Sequence, residues 1–174
     1  MGARWSYRLE QGVSRLRALL LPPDLSPAQR LLSPQAFALF ERMGPGDRAH
    51  CLDVLDLLQQ EGVTCPNLLK AALLHDVGKA EGNLTLAYRT VIVLVRRFRP
   101  AGLEWLADPR AGHWRYPFWV HLHHAELGAA RCAQAGCSPQ VTALVRHHEA
   151  APETIADEPL CAQLALLAAA DDRC

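Results

Sequence analysis

The chain has 174 residues, half of them hydrophobic and 21% charged, which suits one folded domain and excludes wholesale disorder. Its 18 Lys and Arg cancel its 18 Asp and Glu. Zero net charge argues against a protein held to nucleic acid or an anionic membrane by bulk electrostatics. The longest apolar run, Leu164 to Ala170, is far short of the ~18 residues of a membrane span.

In chain order, the first residues lack a clean apolar region and a small-residue cleavage site, so no signal peptide is read. Val13–Leu21 is apolar but carries Arg15 and Arg17, and is read as a docking helix within an N-terminal helix of about 20 residues, with a helix lying on a membrane surface as the alternative. Ser26-Pro27, Ser33-Pro34 and Ser138-Pro139 each read as an N-cap followed by proline in the first turn. Asp47 can cap a helix running to about Gln60 and stopped by Gly62. Pro66 opens another that ends near Gly78. Leu84–Phe98 reads as helix despite the β-branched stretch Thr90–Val95, because its neighbours favour that period.

The stretch from Pro100 to Pro117, with Gly102, Pro109 and Gly112, reads as a long loop with one short helix. Helices follow from His121 to about Ala135 and from Pro139 to Glu149, and Asp157 caps a last one. The result is an all-α protein, with residues 1–45 as a helical extension packed on a domain of residues 46–174. The six cysteines form no CxxC pair. Four sit inside apolar helical patterns, where Cys acts as a small hydrophobe, so reduced thiols in a cytoplasmic protein are expected.

At 100° per residue, His50 lies at the edge of an apolar face made by Cys51, Val54, Leu57 and Leu58. His75 and Asp76 bracket the side shared by Leu68, Leu69 and Ala72, and Asp171 continues the stripe Leu160, Leu164, Leu167. Inward imidazoles and carboxylates on three helices need compensation, since a buried carboxylate costs several kcal/mol. A divalent ion compensates best, and this donor mix suits Fe, Mn, Ni, Co or Zn, with Mg possible. Ordinary helix-end polar residues reaching solvent are the alternative.

The run Leu74-His75-Asp76-Val77-Gly78-Lys79 resembles the signature of the HD-domain metal-dependent phosphohydrolase superfamily. His50 lies 25 residues upstream and Asp171 near the end, where that pattern has its remaining ligands. His124-Ala125-Glu126-Leu127-Gly128-Ala129 and Val145-Arg146-His147-His148-Glu149 are similar to segments of the HDIG and cyclic-dinucleotide phosphodiesterase branches. The resemblance spans about residues 46–172 and implies an HD-domain helical bundle. After the His-His-Glu segment the chain reads Ala150-Ala151-Pro152-Glu153 where cyclic-di-GMP phosphodiesterases have Gly-Tyr-Pro, which argues against that substrate. The chain looks most like the small stand-alone bacterial members.

The resemblance implies two metal ions per chain. Asp76 would bridge both through its two oxygens, with His50, His75 and Asp171 completing one site, and His124 with His147 or His148 the other. The family pattern points to His147, helix arithmetic to His148. His121 would stand behind His124. A metal-bridging hydroxide would attack a small phosphorylated substrate such as a nucleotide, with Asp76 or Asp171 taking the proton. Lys79 would meet the substrate phosphate or else only complement a helix C-terminus. Arg48 and Arg146 are candidates for the same contact. Arg96, Arg97 and Arg99 read as a solvated helix end, with a phosphate site as the alternative. The aromatics Trp114, Tyr116, Phe118 and Trp119 either line a nucleobase mouth or pack the loop. The same metal site would also suit a di-iron oxygenase or a nucleotide- or partner-binding module with a structural metal. No nucleic-acid or membrane partner is expected.

Overall fold

A computed structural model describes residues 23–99 and 101–174; the expected N-terminal helix lies outside them. The described residues form nine α-helices and no strand. They are α1 (Ser26–Leu31), α2 (Pro34–Glu41), α3 (Pro45–Gln60), α4 (Pro66–Leu74), α5 (Leu86–Phe98), α6 (Gly102–Leu106), α7 (Tyr116–Gln134), α8 (Pro139–His147) and α9 (Glu158–Asp171). Two 3₁₀ segments, Val77–Gly82 and Pro152–Thr154, complete the set.

Local signals explain most of the boundaries. Ser33 and Ser138 accept from the backbone N–H of Ala36 and Val141, and Asp157 accepts from that of Leu160. Each cap satisfies a donor that the first helical turn leaves free. Three boundaries differ from expectation. Ser26 is the first residue of α1, and its N–H and hydroxyl donate to Asp24 instead. The third helix starts at Pro45 behind Gly44. That leaves Asp47 buried in its first turn, accepting from Arg89 Nη2 at 2.6 Å. Helix α7 begins at Tyr116, five residues before the expected His121.

The main core gathers Phe40, Leu55, Leu58, Leu73, Leu74, Leu144, Leu164 and Leu167, all fully buried, from α2, α3, α4, α8 and α9. Helices α1 and α2 pack on α4, so this part of the extension shares the domain's core. A smaller cluster of Ile92, Leu103 and Phe118 ties α5 and α6 to α7. The 3₁₀ segment after α4 lies along α7 and is its main partner. All six cysteines are free thiols. No described helix is long and apolar enough to cross a membrane.

Candidate metal centre

Helix α4 ends at Leu74, with His75 as its C-cap. Asp76 opens the 3₁₀ turn that follows, with backbone φ −97° and ψ 2°. The chain tightens there and stops at Asn83, in the left-handed region at φ 44°. This junction turns His75 and Asp76 together into the core, each with about 2% or less of its side chain exposed. His50 arrives from α3, His124 from α7, His148 from the end of α8 and Asp171 from the end of α9.

Three of these imidazoles are set in the same way. His75 Nδ1 donates to the Ala72 carbonyl at 2.9 Å, His124 Nδ1 to His121 at 2.8 Å, and His148 Nδ1 to Val145 at 2.7 Å. A proton committed to Nδ1 leaves the Nε2 lone pair bare on a neutral ring. All three Nε2 atoms then converge on Asp76 Oδ1, at 3.7, 3.5 and 3.8 Å. His124 Nε2 and His148 Nε2 stand 3.2 Å apart, and His75 Nε2 is buried with no hydrogen-bond partner. Acceptors crowded without a donor repel, and a cation among them removes the conflict.

Two groups of donors are close enough to share an ion: His50, His75 and Asp76, and Asp76, His124 and His148. Asp76 belongs to both. Asp171, the most exposed of the set at 38%, places Oδ1 2.7 Å from His50 Nε2 and 3.6 Å from His75 Nε2. The donor set therefore fits divalent ions, with imidazole and carboxylate ligands and a backbone carbonyl holding each ring.

Electrostatics agree with that fit. Burial would raise the Asp76 carboxyl, but the Lys79 ammonium and the His75 and His124 rings outweigh it and hold it well below the usual range. Burial likewise opposes the Asp171 carboxylate, yet the hydrogen bond from His50 and the nearby His75 ring keep its pKa depressed. Burial pushes His148 down to about 3 and His121 to about 4, so both rings are neutral at pH 7. Burial also disfavours charge on His75, but Cys51, Asp76 and Asp171 overcome it and raise that pKa well above the ordinary value.

The predicted residues do not all gather. His148, buried, is the member of the His-His pair that enters the cluster; His147 is half-buried and stands at the last turn of α8. Arg146 points away from the cluster and pairs with Glu126 at the surface, Nε to Oε2 3.0 Å. Arg48 Nε is buried with no hydrogen-bond partner. Lys79 does reach the site, but its Nζ binds Asp76 Oδ2 at 2.6 Å, so only Oδ1 faces the imidazoles. Glu149 was not anticipated: its Oε2 lies 3.8 Å from His124 Nδ1. Its place next to the His-His pair in sequence was the available signal. The Trp114 ring meets Phe118 edge-on and Tyr116 stacks on Trp119, so these aromatics pack on each other along α7.

No family model, curated protein or solved structure matches the chain.

Proposed function

We propose that the protein is a metal-dependent phosphohydrolase of the HD-domain type, acting on a nucleotide or another small phosphorylated metabolite. One observation carries the reading: two buried His/Asp groups meet at a single carboxylate, Asp76. Paired divalent ions in such a setting supply Lewis acidity, which lowers the pKa of water and offsets phosphoryl charge.

The chain's own residues divide the remaining work. His50, His75 and Asp171 would hold one ion, and His124 and His148 the other, with Asp76 shared by both groups. The carbonyls of Ala72, His121 and Val145 orient three of the rings before any ligand arrives. This preorganisation removes a reorganisation cost from binding. Lys79 neutralises Asp76 Oδ2 and is about a fifth exposed, so its ammonium can turn to a substrate phosphate without leaving the site. Asp171, on the open side, would orient an incoming water by accepting its hydrogen bond.

The test is metal analysis of purified protein followed by a screen of phosphomonoesters and phosphodiesters with Mn, Fe, Co, Ni, Zn and Mg. About two ions per chain and hydrolysis abolished by Asp76→Ala, with an unchanged helical spectrum, are expected. Tight nucleotide binding without turnover in the metal-loaded protein would replace the enzyme by a binding module. Dioxygen uptake in the ferrous protein would replace hydrolysis by oxidation.

A further inference from the structure

The clearest anomaly outside the metal centre is helix α5. It exposes nine of its 13 residues, and only Thr90, Arg96 and Arg97 among them are polar. Its single buried residue is Ile92, and Arg89 points inward to the buried Asp47. An ordinary surface helix buries its apolar stripe and shows its charges; here the outward face is the apolar one. Leu86 is 78% exposed and Phe98 74%, and beside them stand Trp105 at 76% and Trp114 at 61%. A groove of about 920 Å³ between α5 and α6, walled by Leu94, Val95, Phe98, Trp105 and Leu106, continues the surface. Contiguous exposed apolar area of this kind marks a docking surface.

Charge identifies the occupant. Residues 84–116 hold six arginines against Glu104 and Asp108, a formal charge of +4 in a chain whose total is zero. Arg89 and Arg110 are paired with Asp47 and Asp108, and Arg115 is bound to the carbonyls of Leu106 and Trp105. Arg96, Arg97 and Arg99 make no ion pair among the described residues. A second copy would set this basic rim against itself. The chain's own residues 1–22 carry four arginines and one glutamate, so they are repelled too.

We infer that this face docks on an anionic lipid bilayer, with Phe98, Trp105 and the outward leucines entering the headgroup–acyl boundary and Arg96, Arg97 and Arg99 meeting lipid phosphates. The sequence expectation of no membrane partner rested on total charge and on the lack of a spanning segment, and zero total charge leaves a local basic surface open. The surface is separate from the metal centre, and the inference does not depend on the proposed reaction.

The test uses the full chain with vesicles of phosphatidylcholine alone and vesicles containing phosphatidylglycerol. Binding roughly tenfold or more tighter to the anionic vesicles is expected, lost at high salt, with a blue shift of tryptophan emission. The exposed pair Leu94→Glu/Phe98→Glu abolishes binding with an unchanged helical spectrum, and Arg97→Glu/Arg99→Glu removes only the preference for anionic lipid. Absence of vesicle binding overturns the inference. So does undiminished binding by both double variants, which would assign binding to residues 1–22. A concentration-dependent dimer that Leu94→Glu/Phe98→Glu dissociates, with no vesicle binding, overturns it in favour of a second copy.

Discussion

Gly78 lies directly against the backbone of Gly128: a β-carbon on Gly78 would stand 2.8 Å from the Gly128 nitrogen and would collide with the His124 carbonyl oxygen. The contact presses the turn carrying His75 and Asp76 onto the helix carrying His124. Both obstacles are backbone, which cannot rotate aside as a side chain can. Gly78→Ala is therefore expected to destabilise the fold by about 2–3 kcal/mol or more and to weaken metal binding. Denaturant unfolding with and without metal measures both. A variant with the wild-type midpoint would show that the turn has room to move.

His148 and His147 are neighbours with opposite expected outcomes. His148→Ala removes a buried Nε2 that faces Asp76 and His124, and is expected to bind less metal than the wild type. His147→Ala leaves both groups of donors intact and is expected to keep the wild-type metal content. Metal analysis of the two variants decides; equal loss in both would mean that the end of α8 rotates when metal binds.

Metal loading should stabilise the fold, because the converging lone pairs are partnered only when an ion is present. A ligand at one hundred times its Kd adds about 2.7 kcal/mol. Thermal unfolding of stripped protein is expected to shift upward on addition of Mn, Co or Zn and to return on chelation. No shift with any of these ions would count against the metal centre.

The metal-free protein should have a stability maximum near pH 6.5. His148 and His121 have folded pKa values lowered to about 3 and about 4. The unfolded chain therefore takes up their protons first, and stability falls as pH drops below about 6.5. His75 has its folded pKa raised. Its contribution is complete below about 6.5 and is lost as pH rises through the folded value. Melting curves in chelator from acid to alkaline pH check this; a monotonic rise through pH 8 would contradict the His75 contribution.

Arg89 holds α5 to α3 through Asp47, whose side chain is only 6% exposed. Arg89→Ala strands that carboxylate, at an expected cost of about 3 kcal/mol. The double variant Arg89→Leu/Asp47→Leu should recover much of it. A loss below about 1 kcal/mol in Arg89→Ala would show that water reaches Asp47.

Much of the all-α architecture was readable locally. Ser33, Ser138 and Asp157 act through hydrogen bonds spanning three residues, so the sequence alone places those helix starts. The same 100° arithmetic put His50, His75, Asp76 and Asp171 on inward faces, and favoured His148 over His147. It could not show that Asp47 would leave its capping role, because Arg89, its partner, lies 42 residues away. Nor could it show that Lys79 would occupy one oxygen of Asp76, or that α5 would face its apolar side outward. Helical period states which residues share a side. Which side meets the core depends on how distant helices pack, and that energy is settled by contacts between residues far apart in the chain.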